Sequence, residues 1–290
     1  MRRRRNLIGL VLVAAAGLAA CTPEAEAPAE VSVEGELGSA PELTFVEPLS
    51  VTEARADVIV EGAGPELVDG GPVLVDYYAE SGQDGSLIGE TFSSEPKPYL
   101  LSAEALGLDI YEGLKDQRVG ARVLQLVPGA DGGATTVAVF DILPTRAWGE
   151  PVEPREGLPV VELASDGAPT ITVPATEPPV EAVVQPLLRG EGPQVTAGQI
   201  VTVQYTGVTW ADGQVFDTTW GPGKLPTSFP IGVGSVIEGW DVGLVEQTVG
   251  SQVLLVIPPA LGYGGDHELA DQTLVFVVDI LAASGGPEQG

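Results

Sequence analysis

The chain has 290 residues, with 13 Lys and Arg against 41 Asp and Glu, and a formal net charge of −28. A surface of that sign repels nucleic-acid phosphates and anionic lipid headgroups, so neither nucleic-acid binding nor docking through a basic patch is expected. With 38 Gly and 25 Pro, long helices are disfavoured, and short runs rich in Val, Ile, Thr and Leu favour strands and turns.

In chain order, Arg2–Arg5 form a positive stretch and Leu7–Ala20 a short apolar run. That run is too short for a span of about 20 residues and suits the apolar region of a signal peptide, residues 1–20. It ends Leu18-Ala19-Ala20-Cys21, similar to a bacterial lipobox in which Cys21 is lipidated and becomes the first mature residue. The chain would then be extracytoplasmic and anchored to the bacterial cell membrane by that lipid. The arginines fit a twin-arginine export signal poorly. Losing Arg2–Arg5 with the leader takes the charge from −28 to about −32. Cys21 is the single cysteine, so no intrachain disulfide can form. Residues 21–39 are acidic and poor in large apolar groups, which predicts a disordered tether.

A repeat divides the remainder. Val73, Val75 and Tyr77 match Val201, Val203 and Tyr205, and Gly113, Leu114 and Gln117 match Gly243, Leu244 and Gln247. Asp141-Ile142-Leu143 matches Asp279-Ile280-Leu281. Two copies imply two domains, 40–143 and 168–283, with a linker over 144–167 and a disordered tail over 284–290. Trp148 in the linker is read as a packing residue. In the second copy Val201–Tyr205, Val253–Ile257 and Thr273–Ile280 read as strands, Asp212-Gly213 as a hairpin turn, and Ile237–Val245 as one short helix. The fold class is α+β.

The second copy also holds VTVQYTG at 201–207, DGQVFD at 212–217, FPIGVGSVIEGWDVG at 229–243, PPALGYG at 258–264 and TLVFVVDIL at 273–281. This ordered series resembles the FK506-binding type of peptidyl-prolyl cis-trans isomerase over about the last third of the chain. The resemblance implies an antiparallel sheet curled around a single helix in each copy, with a pocket between sheet and helix. It implies that Trp240 floors the pocket under a substrate proline ring and that Tyr205, Phe216, Val236, Ile237 and Phe276 wall it. Phe229 lines the edge, and Asp217 sits at the rim. The Ile237 N–H and the Tyr263 hydroxyl would bond substrate carbonyls. Such a site uses no metal and no cofactor. The implied partners are proline-containing exported polypeptides and FK506-like macrolides, with the membrane reached through the lipid alone.

The family often has a second aromatic where this chain has Thr227, and the loop after Tyr263 is short. His267, the single histidine, lies in that loop and reads as solvated. In the first copy the positions of Trp240, Asp217 and Phe276 are read as Ile110, Ser93 and Ala138, with Tyr77 and Phe92 kept, and the loop that would carry the tyrosine is missing. That copy reads as degenerate. Two functions stand side by side: an isomerase that assists folding of exported proteins, and a lipid-anchored chaperone or binding module that holds proline-containing segments without turnover. Asp217 and Tyr263 favour the isomerase.

Overall fold

A computed structural model of the chain describes residues 30–285. The leader, Cys21, most of the expected tether and residues 286–290 lie outside the described residues. Among those described, no helix is long and apolar enough to cross a membrane.

The first half runs β1 (Val31–Glu34), β2 (Glu42–Phe45), β3 (Arg55–Val60), β4 (Pro72–Ser81), β5 (Leu87–Glu90), β6 (Lys97–Leu100), α1 (Ala103–Leu106), α2 (Leu108–Leu114), β7 (Arg122–Val127) and β8 (Thr136–Leu143). Six of these strands form an antiparallel sheet in the order β3-β7-β8-β4-β5, with β6 also on β4. The second half runs β9 (Glu150–Pro151), β10 (Val160–Leu163), β11 (Pro169–Thr172), β12 (Val183–Arg189), β13 (Ile200–Thr209), β14 (Val215–Thr218), β15 (Thr227–Pro230), α3 (Glu238–Leu244), β16 (Gln252–Ile257) and β17 (Leu274–Ser284). Its sheet has the order β14-β13-β17-β16-β12-β9, with β15 on β13. Without β9, the two sheets share one strand order.

Alternation along the central strands makes each sheet two-faced, because successive side chains of a strand point to opposite sides. On β17, Phe276, Val278 and Ile280 join the cluster that holds Trp240 and Leu244 of α3. Val275 and Val277 of the same strand join the opposite cluster, with Ile171 and Val161 of the β10–β11 hairpin packed against it. On β8, Ala138, Phe140 and Ile142 pack with Leu114 of α2, and Val137 and Val139 face Val31, Val33, Leu43 and Phe45 of the β1–β2 hairpin. Each half is therefore a sheet with helix on one face and a hairpin on the other.

Strand pairing corrects three expected boundaries. The tether was to run to residue 39, yet Val31–Glu34 pairs with Glu42–Phe45. The linker was to span 144–167, yet β9 pairs with β12 and β10 pairs with β11. The tail was to begin at 284, yet Ser284 pairs with Ile200. The physical reason is the alternation of Val31 with Val33 and Leu43 with Phe45. It gives a short acidic segment one apolar face, enough to cover a sheet though too little to form a core. The structural repeat thus starts with the hairpins. The first half also has two short helices where one was expected. Ser102 caps α1 by accepting the Ala105 N–H, and Gly107, with φ of 79°, separates α1 from α2.

The halves differ behind the sheet. In the first, Arg122 and Asp141 form a buried ion pair through Nε–Oδ1 at 2.6 Å and Nη2–Oδ2 at 2.7 Å. Arg122 also donates to the Gly35 and Ser39 carbonyls at the hairpin turn, at 2.9 and 2.8 Å. In the second, Gln252 stands opposite Asp279 in register, as Arg122 does opposite Asp141. Asp279 accepts the Gln252 Nε2 and the Ala147 backbone N–H, both at 2.7 Å. Burial pushes its carboxyl up to about 6 despite these bonds and the charge of Arg146. Trp148 packs on the second half: its N–H donates to the Gly250 carbonyl at 2.9 Å, and its ring lies against Gly250.

Candidate functional site

The site residues come from five elements around α3. Trp240, in the first turn of α3, is 4 % exposed. Three rings meet it edge-on: Tyr205 of β13 at 5.1 Å, Phe276 of β17 at 5.3 Å and Phe229 of β15 at 5.5 Å between centroids. Phe216 of β14 stands edge-on to Phe276 at 5.4 Å and to Tyr263 at 6.4 Å. Val236 and Ile237, just before α3, are half-buried against the same cluster. The edge-to-face pattern places the positive edge of one ring on the negative face of the next, worth roughly 0.5–1.5 kcal/mol per pair beyond burial. All nine predicted pocket residues except Asp217 thus belong to one continuous apolar cluster.

Asp217 stands at the polar edge of that cluster, where its Oδ2 accepts the Tyr205 hydroxyl in a short hydrogen bond. The Tyr205 hydroxyl is held well above the ordinary phenol range, first by burial and then by that bond and the carboxylate charge. Tyr263 is raised too, by burial and then by Asp217. Both phenols therefore stay protonated at neutral pH and keep their hydroxyls as donors. Among the described residues the Trp240 indole N–H is buried without a hydrogen-bond partner.

One glycine makes the ring arrangement sterically accessible. Gly207 pairs with Phe276 in the β13–β17 ladder. A Cβ there would stand 2.7 Å from both Phe216 Cζ and Phe276 Cε1. The same ladder position in the first half pairs Ala79 with Ala138, where neither ring exists.

Two further residues shape the site, and the first was not singled out from the sequence. Asp241 of α3 accepts the Gly232 N–H at 2.7 Å and the Gly234 N–H at 2.6 Å, fixing the loop that presents Val236 and Ile237. Its signal was an acid one residue past the tryptophan, close after two glycines. His267, read as a solvated loop residue, stacks on Tyr263 at 4.2 Å with a 19° interplanar angle. Its Nδ1 accepts the Leu269 N–H at 3.1 Å, which fixes the ring's orientation.

The first half lacks the ring box, and register corrects two correspondences. Asp217 pairs with Gly207, and Gly89 pairs with Ala79. The counterpart of Asp217 is therefore Gly89, not Ser93. Thr91 accepts the Tyr77 N–H as Thr219 accepts the Tyr205 N–H, so Phe92 stands in the place of Trp220 rather than of Phe216. Ser93 instead donates to Glu90 in a local turn. Ile110 does occupy the Trp240 position of its cluster, and Tyr77 keeps one aromatic neighbour, Phe140 at 6.2 Å.

Comparison with known proteins matches residues 192–281 to the family model described as FKBP-type peptidyl-prolyl cis-trans isomerase. The chain is similar to an FK506-binding protein of Streptomyces anulatus, 40 % identical over 119 residues that cover 39 % of this chain and 95 % of that one. It is similar to a probable FK506-binding protein of Corynebacterium glutamicum, 35 % identical over 118 residues, 40 % of this chain and 98 % of the relative. Among solved structures, the three FKBP domains of wheat FKBP73 align with 79 % of this chain and 94 % of that chain, at 22 % identity and a TM-score of 0.32. With nearly the whole length of two such relatives matched at these identities, the chain belongs to the FKBP-type peptidyl-prolyl cis-trans isomerases.

Proposed function

We propose that the ring box around Trp240 is the catalytic pocket, and that the protein assists the folding of exported polypeptides by isomerising their X–Pro bonds. The observation that carries this is the closure of Tyr205, Phe229 and Phe276 edge-on around one buried indole, with Asp217 at the rim. An X–Pro amide rotates over a barrier of about 18–20 kcal/mol because resonance is lost in the twisted state. Lowering it by about 7 kcal/mol raises the rate about 10⁵-fold. An apolar cup does so by binding the twisted amide better than either planar isomer, and by removing water that favours the planar, polar form. In this reading Trp240 floors the proline ring, while Phe216, Phe229, Val236, Ile237 and Phe276 exclude water. Tyr263 donates to a substrate carbonyl. Asp217 fixes the Tyr205 hydroxyl, so that Tyr205 presents its ring as wall. An FK506-like macrolide would enter the same cup.

The full chain is expected to isomerise a proline tetrapeptide in a protease-coupled assay and to be inhibited by such a macrolide. Tyr263→Phe, which deletes one hydrogen bond worth about 0.5–1.5 kcal/mol, is expected to lower turnover roughly 2- to 12-fold. No activity above the uncatalysed rate at micromolar protein would leave holding without turnover as the function.

The same reading makes the first half a degenerate FKBP-like domain in tandem with the active one, supported by the shared strand order and by Ile110, Gly89 and Ala138 in place of the pocket residues. It also makes Cys21 a lipid attachment site that holds the protein outside the cytoplasm. Bacterial cells fed radiolabelled palmitate are expected to label the protein at Cys21, and Cys21→Ser is expected to abolish the label and release the chain from the membrane fraction. Equal labelling of the variant would remove the anchor from the proposal.

A further inference from the structure

The two sheets share an edge that is treated differently in each. In the second, β12 is covered by β9: Leu188 pairs with Pro151 and Arg189 with Glu150. The Val152 N–H then donates to the Leu187 carbonyl at 2.9 Å. In the first sheet the same edge is β3, which among the described residues pairs only with β7. The local geometry matches. The β3–β7 ladder slips at Ile59, between Val58 and Val60, and the β12–β16 ladder slips at Leu187, between Pro186 and Leu188. Val58, Ile59 and Val60, which no described strand covers, are exposed at 39 %, 40 % and 38 %, whereas Pro186, Leu187 and Leu188 are all half-buried. Of the usual guards of an edge strand, β3 has the charges of Arg55 and Asp57 and the slip at Ile59, but neither lysine nor proline, and its end Val58–Val60 is apolar.

We infer that the β3 edge is a strand-addition site for an extended, apolar, non-acidic segment of another polypeptide. The form of the occupant is drawn in the molecule itself. β9 is a short extended segment containing proline, a residue without an N–H, and the bond it needs comes from the residue after the proline. Beside it Val152, Leu158, Leu187 and Leu188 line one cavity, and Leu158 and Leu187 pack on the outer apolar cluster of the sheet. The chain's own residues 22–29, TPEAEAPA, offer no large apolar side chain and add two acids, Glu24 and Glu26, where the edge already holds Asp57 and Glu61. A second copy would bring a net charge of −28 against another −28. A neutral or basic client segment meets neither objection, and backbone bonding gives the edge affinity with little demand on sequence. This binding needs no turnover, so it stands or falls apart from the isomerase reading.

The test uses the full chain and a fluorescein-labelled peptide, KVWGVPVK, followed by anisotropy with the aromatic cup saturated by FK506. Binding is expected, and Val58→Lys with Val60→Lys is expected to weaken it at least tenfold while isomerase turnover and the unfolding midpoint stay as in the parent. In the unsubstituted chain, hydrogen exchange at 58–61 is expected to slow at least tenfold when the peptide is added, which reads the edge without any substitution. Unchanged affinity of the lysine variant, or no added protection at 58–61, overturns the site. Binding that occurs only in a chain starting at Glu30 assigns the edge to the chain's own leading segment and overturns it equally. Equal binding of EVWGVPVE overturns the preference for non-acidic partners.

Discussion

Trp240→Ala is expected to unfold or loosen the second half and to abolish isomerase activity with it. The indole is 4 % exposed and is the one ring that touches Tyr205, Phe229 and Phe276 together. Truncating a buried Trp to Ala costs about 3–5 kcal/mol through lost transfer energy and the cavity left behind. Three edge-on aromatic contacts go at the same time. The measurement is unusually clean because Trp148, Trp210, Trp220 and Trp240, the four tryptophans of the chain, all lie in the second half. Tryptophan fluorescence in a denaturant titration therefore follows that half alone, and the variant retains three reporters. A midpoint unchanged in denaturant, with turnover intact, would remove Trp240 from both the core and the pocket. Trp240→Phe, which keeps a ring and a smaller cavity, is expected to fall between parent and alanine variant in both measurements.

Asp279→Asn is expected to stabilise the second half at pH 7.5 and to flatten its pH dependence. The carboxyl is 2 % exposed and pushed up to about 6 by burial. An unfolded aspartate titrates near 3.9, so between about pH 4 and pH 6 the folded state binds the extra proton. Stability from this group is complete below about 4, declines as pH rises to about 6, and stays reduced above. The difference of about two pKa units corresponds to a penalty on the order of 3 kcal/mol at neutral pH. Asparagine carries no charge, its oxygen can still accept the Ala147 N–H, and the Gln252 amide can turn to accept its NH₂. The fluorescence midpoint in urea at pH 4.5, 6 and 7.5 should fall with pH in the parent and hold level in the variant. Parallel profiles would place the ionisation elsewhere. Asp141 provides the contrast, since Arg122 at 2.6 Å compensates a carboxylate buried just as deeply. The two halves thus hold an acid at the same ladder position with different partners.

Much of the ring cluster was legible because it is carried by residue type. Rings and glycines in a fixed order mark Tyr205, Phe216, Phe229, Trp240, Tyr263 and Phe276; β13 alternates, and β17 is a nearly continuous apolar run. The hairpins were not legible for the opposite reason. Val31, Val33, Val161 and Ile171 are single apolar residues among acids and prolines, and their worth depends on a sheet face formed by strands about 90–120 residues away in the chain. Reading Ser93 as the counterpart of Asp217 failed because likeness of side chains, Phe92 with Phe216, was followed instead of backbone register. Register is set by the ladder, in which Gly89 faces Ala79 and Asp217 faces Gly207. The stacking of His267 on Tyr263 depends on a loop path that no local pattern specifies.

The central position of β8 and β17 bears on how the chain is made. Each lies in mid-sheet, β8 between β7 and β4 and β17 between β16 and β13, and each is the last strand of its half to leave the ribosome. Until that strand arrives, the two parts of the sheet have nothing to join them. Pairings between distant segments are slow to form because loop closure precedes their reward. The first half can close once Leu143 has emerged, before β9 exists. The second must wait for residues 274–284 before β13 and β16 find their common neighbour and Asp279 meets the Ala147 N–H, 132 residues upstream. A chain ending at Thr273 would carry a finished first sheet and, in the second, two open strand edges on β13 and β16.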